Sequence, residues 1–125
     1  GLSTNASSGA TVRMRGDTLT SGSNDIDPVG ASAASITAGP STERFGLNVS
    51  PGSGITADAN YAGANLYGFD RIITTAANGY GDRIAYTSGP INHADSTLTF
   101  AATAALTTPA GLYQTTLDLI ATGTY

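Results

Sequence analysis

The sequence predicts an all-β chain, an antiparallel β-sandwich of the immunoglobulin-like or jelly-roll-like kind built from about seven to nine short strands. Three observations carry that expectation. Segments of four to eight residues alternate apolar and polar side chains; turn residues interrupt them roughly every ten residues; and no stretch shows a helical apolar period of convincing length. With 125 residues, the length prior favours one domain spanning 1–125, large enough to bury a core.

Leu2-Ser3-Thr4 reads as the tail of a strand, closed by a turn over Asn5-Ala6-Ser7-Ser8-Gly9. Ala10 to Arg15 is the next strand, with Val12 and Met14 pointing inward and Arg13 and Arg15 outward. Gly16-Asp17 and Ser21-Gly22-Ser23-Asn24-Asp25 punctuate a polar connection anchored by Leu19 and Ile26, and Asp27-Pro28 turns the chain again. Ala31 to Thr37 is alanine-rich, which favours helix, but it is short and bracketed by Gly30 and Gly39, so it reads as strand or irregular. Phe45-Gly46-Leu47-Asn48-Val49 alternates and stops at Pro51-Gly52-Ser53-Gly54. From Ile55 to Phe69 the pattern dissolves into a long loop or a pair of short strands carrying exposed tyrosines. Arg71 to Thr75 is β-prone; Asn78-Gly79 is the strongest short hairpin signal; Arg83 to Thr87 follows as a strand ended by Gly89-Pro90. Asn92-His93-Ala94-Asp95 reads as a connection.

The last quarter reads as a closing β-hairpin. In Thr97 to Ala104, Leu98, Phe100, Ala102 and Ala104 share one face, with Thr97, Thr99, Ala101 and Thr103 on the other. Thr107-Thr108-Pro109-Ala110-Gly111 breaks the pattern, because proline donates nothing to a ladder and glycine tolerates positive φ. Tyr113, Thr115, Leu117, Leu119 and Ala121 then alternate with Gln114, Thr116, Asp118, Ile120 and Thr122 as the second strand.

Composition narrows function by exclusion. Charged residues are 11% of the chain, against roughly a quarter in typical soluble domains. Aromatics are 7%, so the 40% apolar fraction is mostly small side chains, suited to a thin core between stacked sheets. Gly, Ala, Ser, Thr and Asn dominate, as in many secreted surface proteins. There is no lysine: the basic residues are Arg13, Arg15, Arg44, Arg71 and Arg83. A net charge of −4 gives no footprint for nucleic acid. Neither disulfides nor lysine isopeptide crosslinks can form, since cysteine and lysine are both absent. No apolar run has the length of a membrane span. The start at Gly1 rather than Met fits either a processed product whose targeting segment is gone or a cut at that point. The expected location is extracellular or at the cell surface.

Two stretches carry a resemblance. Thr4-Asn5-Ala6-Ser7-Ser8-Gly9-Ala10-Thr11-Val12 resembles a strand-turn-strand opening, and Thr108-Pro109-Ala110-Gly111-Leu112-Tyr113-Gln114-Thr115-Thr116-Leu117 a closing strand, of secreted bacterial β-sandwich surface proteins. The nearest are WxL-type surface domains and camelysin-like fibre subunits of biofilm matrices; the chain has no tryptophan, so the WxL motif itself is missing. The resemblance implies a non-enzymatic, extracellular structural protein. Relative to that group only Leu2 to Thr4 remains of the opening strand, which would leave an unpaired edge and an apolar groove for another copy to fill by strand addition. Repeated head to tail, such a contact builds a homopolymeric filament. Its contact residues would be Leu2, Val12, Met14, Leu117 and Leu119. The alternative is a monomeric adhesin or carbohydrate-binding module that meets surface glycans through loops bearing Tyr61, Tyr67 and Tyr80.

The remaining chemistry is sparse. His93 is the single histidine, so a structural zinc site lacks ligands, and His93 with Asp95 has no nucleophile elbow to serve; it reads as a loop residue. No catalytic residue and no cofactor is expected. Asp25 and Asp27 beside Asn24, and Asp58 beside Asn60, offer hard oxygens for calcium, but as solvated turn residues they need no metal. Arg15-Gly16-Asp17 spells an integrin-type tripeptide at a strand end, a match that three residues produce often by chance.

Overall fold

Alternation becomes strand over most of the chain. The computed structural model describes residues 1–69 and 81–125, and among them the elements run β1 (Leu2–Thr4), β2 (Ala10–Gly16), β3 (Thr20–Ser21), β4 (Asn24–Asp25), β5 (Gly30–Ser35), β6 (Arg44–Ser50), β7 (Thr56–Ala57), a short 3-10 turn η1 (Ala59–Tyr61), β8 (Leu66–Phe69), β9 (Asp82–Tyr86), β10 (Ile91–Ala94), β11 (Thr97–Thr103) and β12 (Leu117–Gly123). Two four-stranded sheets result, ordered β11-β6-β8-β5 and β12-β2-β9-β7, with β1-β10 and β3-β4 as separate two-stranded ribbons. All strand pairings are antiparallel.

The core explains why the sheets face each other. Met14 of β2 and Ile84 and Ala85 of β9 pack against Phe45, Leu47 and Val49 of β6 and Phe69 of β8 in one continuous apolar cluster. Phe45 and Phe69 meet with ring centroids 5.0 Å apart. Each fully buried aliphatic side chain there contributes roughly 1.5–3 kcal/mol relative to exposure. Arg15, one residue from Met14, stays outside and reaches Asp118 of β12 at 3.2 Å. The fold is therefore the expected antiparallel β-sandwich.

Four details differ from the sequence reading. The twelve strands among the described residues exceed the expected number, because β3, β4 and β7 are two-residue pieces and the four-residue β10 has its apolar residues only at its ends, so none of them shows alternation. Asn92 to Ala94 belongs to β10, which pairs with β1, and His93 holds a φ of 50° there, with its backbone N–H donating to Ser3 Oγ at 2.7 Å. The closing hairpin does not exist. β11 pairs along its whole length with β6, from Thr97↔Ser50 to Thr103↔Arg44, and β12 with β2, from Leu117↔Gly16 to Gly123↔Ala10. The connector between them is too long for a tight hairpin turn and arches from one layer to the other, pinned by Leu106 N to Pro40 O at 2.9 Å and by paired bonds between Gln114 and Thr20. The second strand accordingly starts at Leu117 rather than Tyr113. Finally, Tyr61 is buried rather than displayed.

Thr18, unremarked in the sequence, is fully buried and donates its hydroxyl to Ile26 O at 2.7 Å, tying the entry of the β3-β4 ribbon to its exit. The Arg71 to Thr75 strand and the Asn78-Gly79 hairpin lie outside the described residues. No helix among the described residues is long and apolar enough to cross a membrane.

Candidate functional site: an open seam between two edge strands

β11 is the outermost strand of one sheet and β12 of the other, and both stand on the same border of the sandwich. Their inward side chains follow from alternation: Leu98 and Phe100 on β11, Leu117, Leu119 and Ala121 on β12. Leu98 and Leu117 pack against the core. Phe100 stacks on Phe45 with centroids 6.0 Å apart and planes 8° from parallel, yet remains 46% exposed. Leu119, on the edge strand of the other layer, is 55% exposed. The β1-β10 ribbon reaches one end of this border through Leu2 and Ala94 and the connector its other end, while Phe100 and Leu119 stay about half exposed between them.

One end of this seam deepens into a recess of about 230 Å³ whose walls include Leu2, Val12, Ala94, Leu98, Leu119 and Ala121. The edges themselves are unprotected by the usual devices. Natural edge strands are blunted by lysine, proline, inward charges or bulges. β11 reads TLTFAAT, without charge or proline, and keeps an unbroken register with β6. β12 carries a single charge, Asp118, already engaged by Arg15, and its register with β2 is likewise unbroken. Each strand thus has a ladder on one side and a row of unpaired backbone groups on the other.

The opposite border is closed. Asp58 N donates to Ile84 O at 2.9 Å, the Asp58 carboxylate accepts from Asn60 N at 3.1 Å and from Arg83 Nη2 at 2.9 Å, and the Arg83 guanidinium lies 4.4 Å from the Tyr86 ring centroid. These contacts hold η1 across the gap between layers, so that Tyr61 is 1% exposed and its hydroxyl donates to the Asp82 carboxylate.

The residues singled out from sequence are distributed accordingly. Leu2, Val12 and Leu119 line the seam recess, and Leu117 is half-buried beside it. Met14 is a correction: it is fully buried in the core and offers nothing to a second molecule. Phe100 and Leu98 belong in the set, and the alternation that put them on one face of β11 was the signal for them. Of the tyrosines, Tyr61 is internal, Tyr67 lines a separate recess, and Tyr80 lies outside the described residues. Asp25 sits in the β3-β4 ribbon, Asp27 lies 3.7 Å from Arg44, and Asp58 is committed to Arg83; the structure does not gather them, and no group of three metal-ligating side chains occurs among the described residues. His93 and Asp95 stand 3.8 Å apart in the open. Arg15-Gly16 is paired strand, and Asp17, exposed just past the strand end, accepts from Thr18 N at 2.7 Å, so only the last residue of the tripeptide leaves the sheet.

The comparisons add no relative: the chain matches no family model, no curated protein and no solved structure.

Proposed function

We propose that the protein is a structural subunit of an extracellular filament or surface layer, in which an extended segment of one copy enters the β11–β12 seam of the next. The observation that supports this reading is that Phe100 on β11 and Leu119 on β12, inward-facing residues of the two edge strands, are both left about half exposed. A strand laid between them would satisfy backbone groups of β11 or β12 and cover both side chains, each apolar Å² removed from water contributing about 25 cal/mol. Such a contact joins two different surfaces, so it can repeat head to tail, and it builds an open filament where the rotation between successive copies does not close a ring. With neither cysteine nor lysine in the chain, cohesion would rest on backbone pairing and apolar packing alone. The small, Ser/Thr/Asn-rich composition with few charged residues supports an extracellular setting.

Electron microscopy with light scattering tests the proposal on the wild-type protein and on Leu119→Asp and Phe100→Glu. Polymers from the wild type and folded monomers from both variants are expected. A wild type that stays monomeric at every concentration, or filaments indifferent to both substitutions, would overturn it.

A further inference from the structure

A second recess, of about 650 Å³, lies between the exposed face of β6 and β8 and the segment that follows η1. Its floor and rim are built from the sequence in a specific way. Gly46 has no side chain to oppose Tyr67 across the β6-β8 pair; a Cβ there would come within 2.8 Å of the Tyr67 Cβ. The missing side chain leaves room for Tyr67, which lines the recess. The Asn48 amide donates to Gly63 O at 2.8 Å and Leu66 O at 2.7 Å, clamping the segment that carries Asn65, while Ser50 donates to Asn48 Oδ1 at 3.4 Å. Asn65 itself holds φ 59° at the exposed rim. Thr56 and Thr99 add hydroxyls, and Pro51, Ile55, Ala62 and Ala64 add apolar surface.

None of the described lining residues carries a charge. That decides the ligand class. An anion would find no cation to pair with, and a purely apolar ligand would strip water from the amides and hydroxyls without replacing it. What matches one aromatic ring, several neutral donors and acceptors and a few hundred cubic ångströms is a ring with an apolar C–H face and many hydroxyls. We propose that this recess binds a neutral saccharide of one to three rings, with a sugar face on Tyr67 and hydroxyls bonded to Asn65, Thr56 and Thr99. The recess adjoins the seam through Val49 and Ile55, which line both, and through Thr99 on β11, but its chemistry does not depend on the filament reading.

The experiment is an NMR titration of the full chain in its Leu119→Asp background, so that polymerisation plays no part. Cellotriose, chitotriose and mannotriose are the neutral probes and trigalacturonate the charged one. Saturable shifts at the Asn65, Tyr67 and Thr99 amides with at least one neutral trisaccharide are expected, with trigalacturonate inert. Tyr67→Ala should weaken that binding about tenfold or more. Asn65→Gly keeps the left-handed backbone while removing the amide and should weaken it severalfold, which serves as the readout if Tyr67→Ala unfolds. Absence of saturable shifts with all three neutral probes up to about 10 mM, preference for trigalacturonate, or affinity unchanged in both variants would overturn the assignment.

Discussion

The two borders of the sandwich solve one geometric problem in opposite ways. Wherever two layers end, their inward residues face water unless something is placed over them. On the β5–β7 border η1 does this, lowering Tyr61 into the gap and fastening it through Asp82 and the Asp58–Arg83 contacts. On the β11–β12 border Phe100 and Leu119 are left open. Because both borders belong to the same core, the difference is not one of apolarity; it lies in whether the chain itself supplies the cover. A border closed internally serves stability, and the partly exposed one is where the proposed strand addition would act.

Substitutions can separate these roles. The largest stability loss belongs to the closed border: Tyr61→Ala removes a fully buried ring and should lower the unfolding free energy by about 3–5 kcal/mol, read as a fall in the urea midpoint. Tyr61→Phe keeps the ring and leaves the Asp82 carboxylate without that donor, with an expected loss of about 1–3 kcal/mol in the same measurement. Phe100→Ala and Leu119→Ala should cost the isolated molecule no more than about 1 kcal/mol each, because much of each side chain is already wet. Their effect should appear in sedimentation as weakened self-association. Equal destabilisation at Tyr61 and Phe100 would erase the distinction between the borders. The smallest effect is expected from Arg83→Gln, about 0.5 kcal/mol, since Arg83 is well exposed and its pairing with Asp58 is screened; the difference from wild type should shrink in 1 M salt, about 3 Å of Debye length.

How much of this was legible in the sequence depends on what alternation encodes. Val12 and Met14, or Phe45, Leu47 and Val49, announce a strand and the face it buries, and those expectations agree with the core. Alternation does not name the partner strand. Thr97 to Thr103 and Leu117 to Gly123 therefore looked like two arms of one hairpin when each is the edge of a different sheet. Burial that depends on distant chemistry was equally hidden. Tyr61 sits among Asp58, Asn60 and Gly63, a polar neighbourhood that suggests display, and only Asp82, far along the chain, draws its hydroxyl inside. Ile91 to Ala94 went unread because its apolar residues, Ile91 and Ala94, stand three apart at its two ends with Asn92 and His93 between them, so the segment shows no alternation although both pack on the core. The seam needed both kinds of knowledge, since Phe100 and Leu119 were each assigned a side but not each other.

The arch between β11 and β12 has a kinetic meaning. These two strands form no ladder with each other. Under the strand-addition proposal a guest segment would therefore have no existing sheet to unzip, and its rate of capture would depend mainly on how extended it already is in solution.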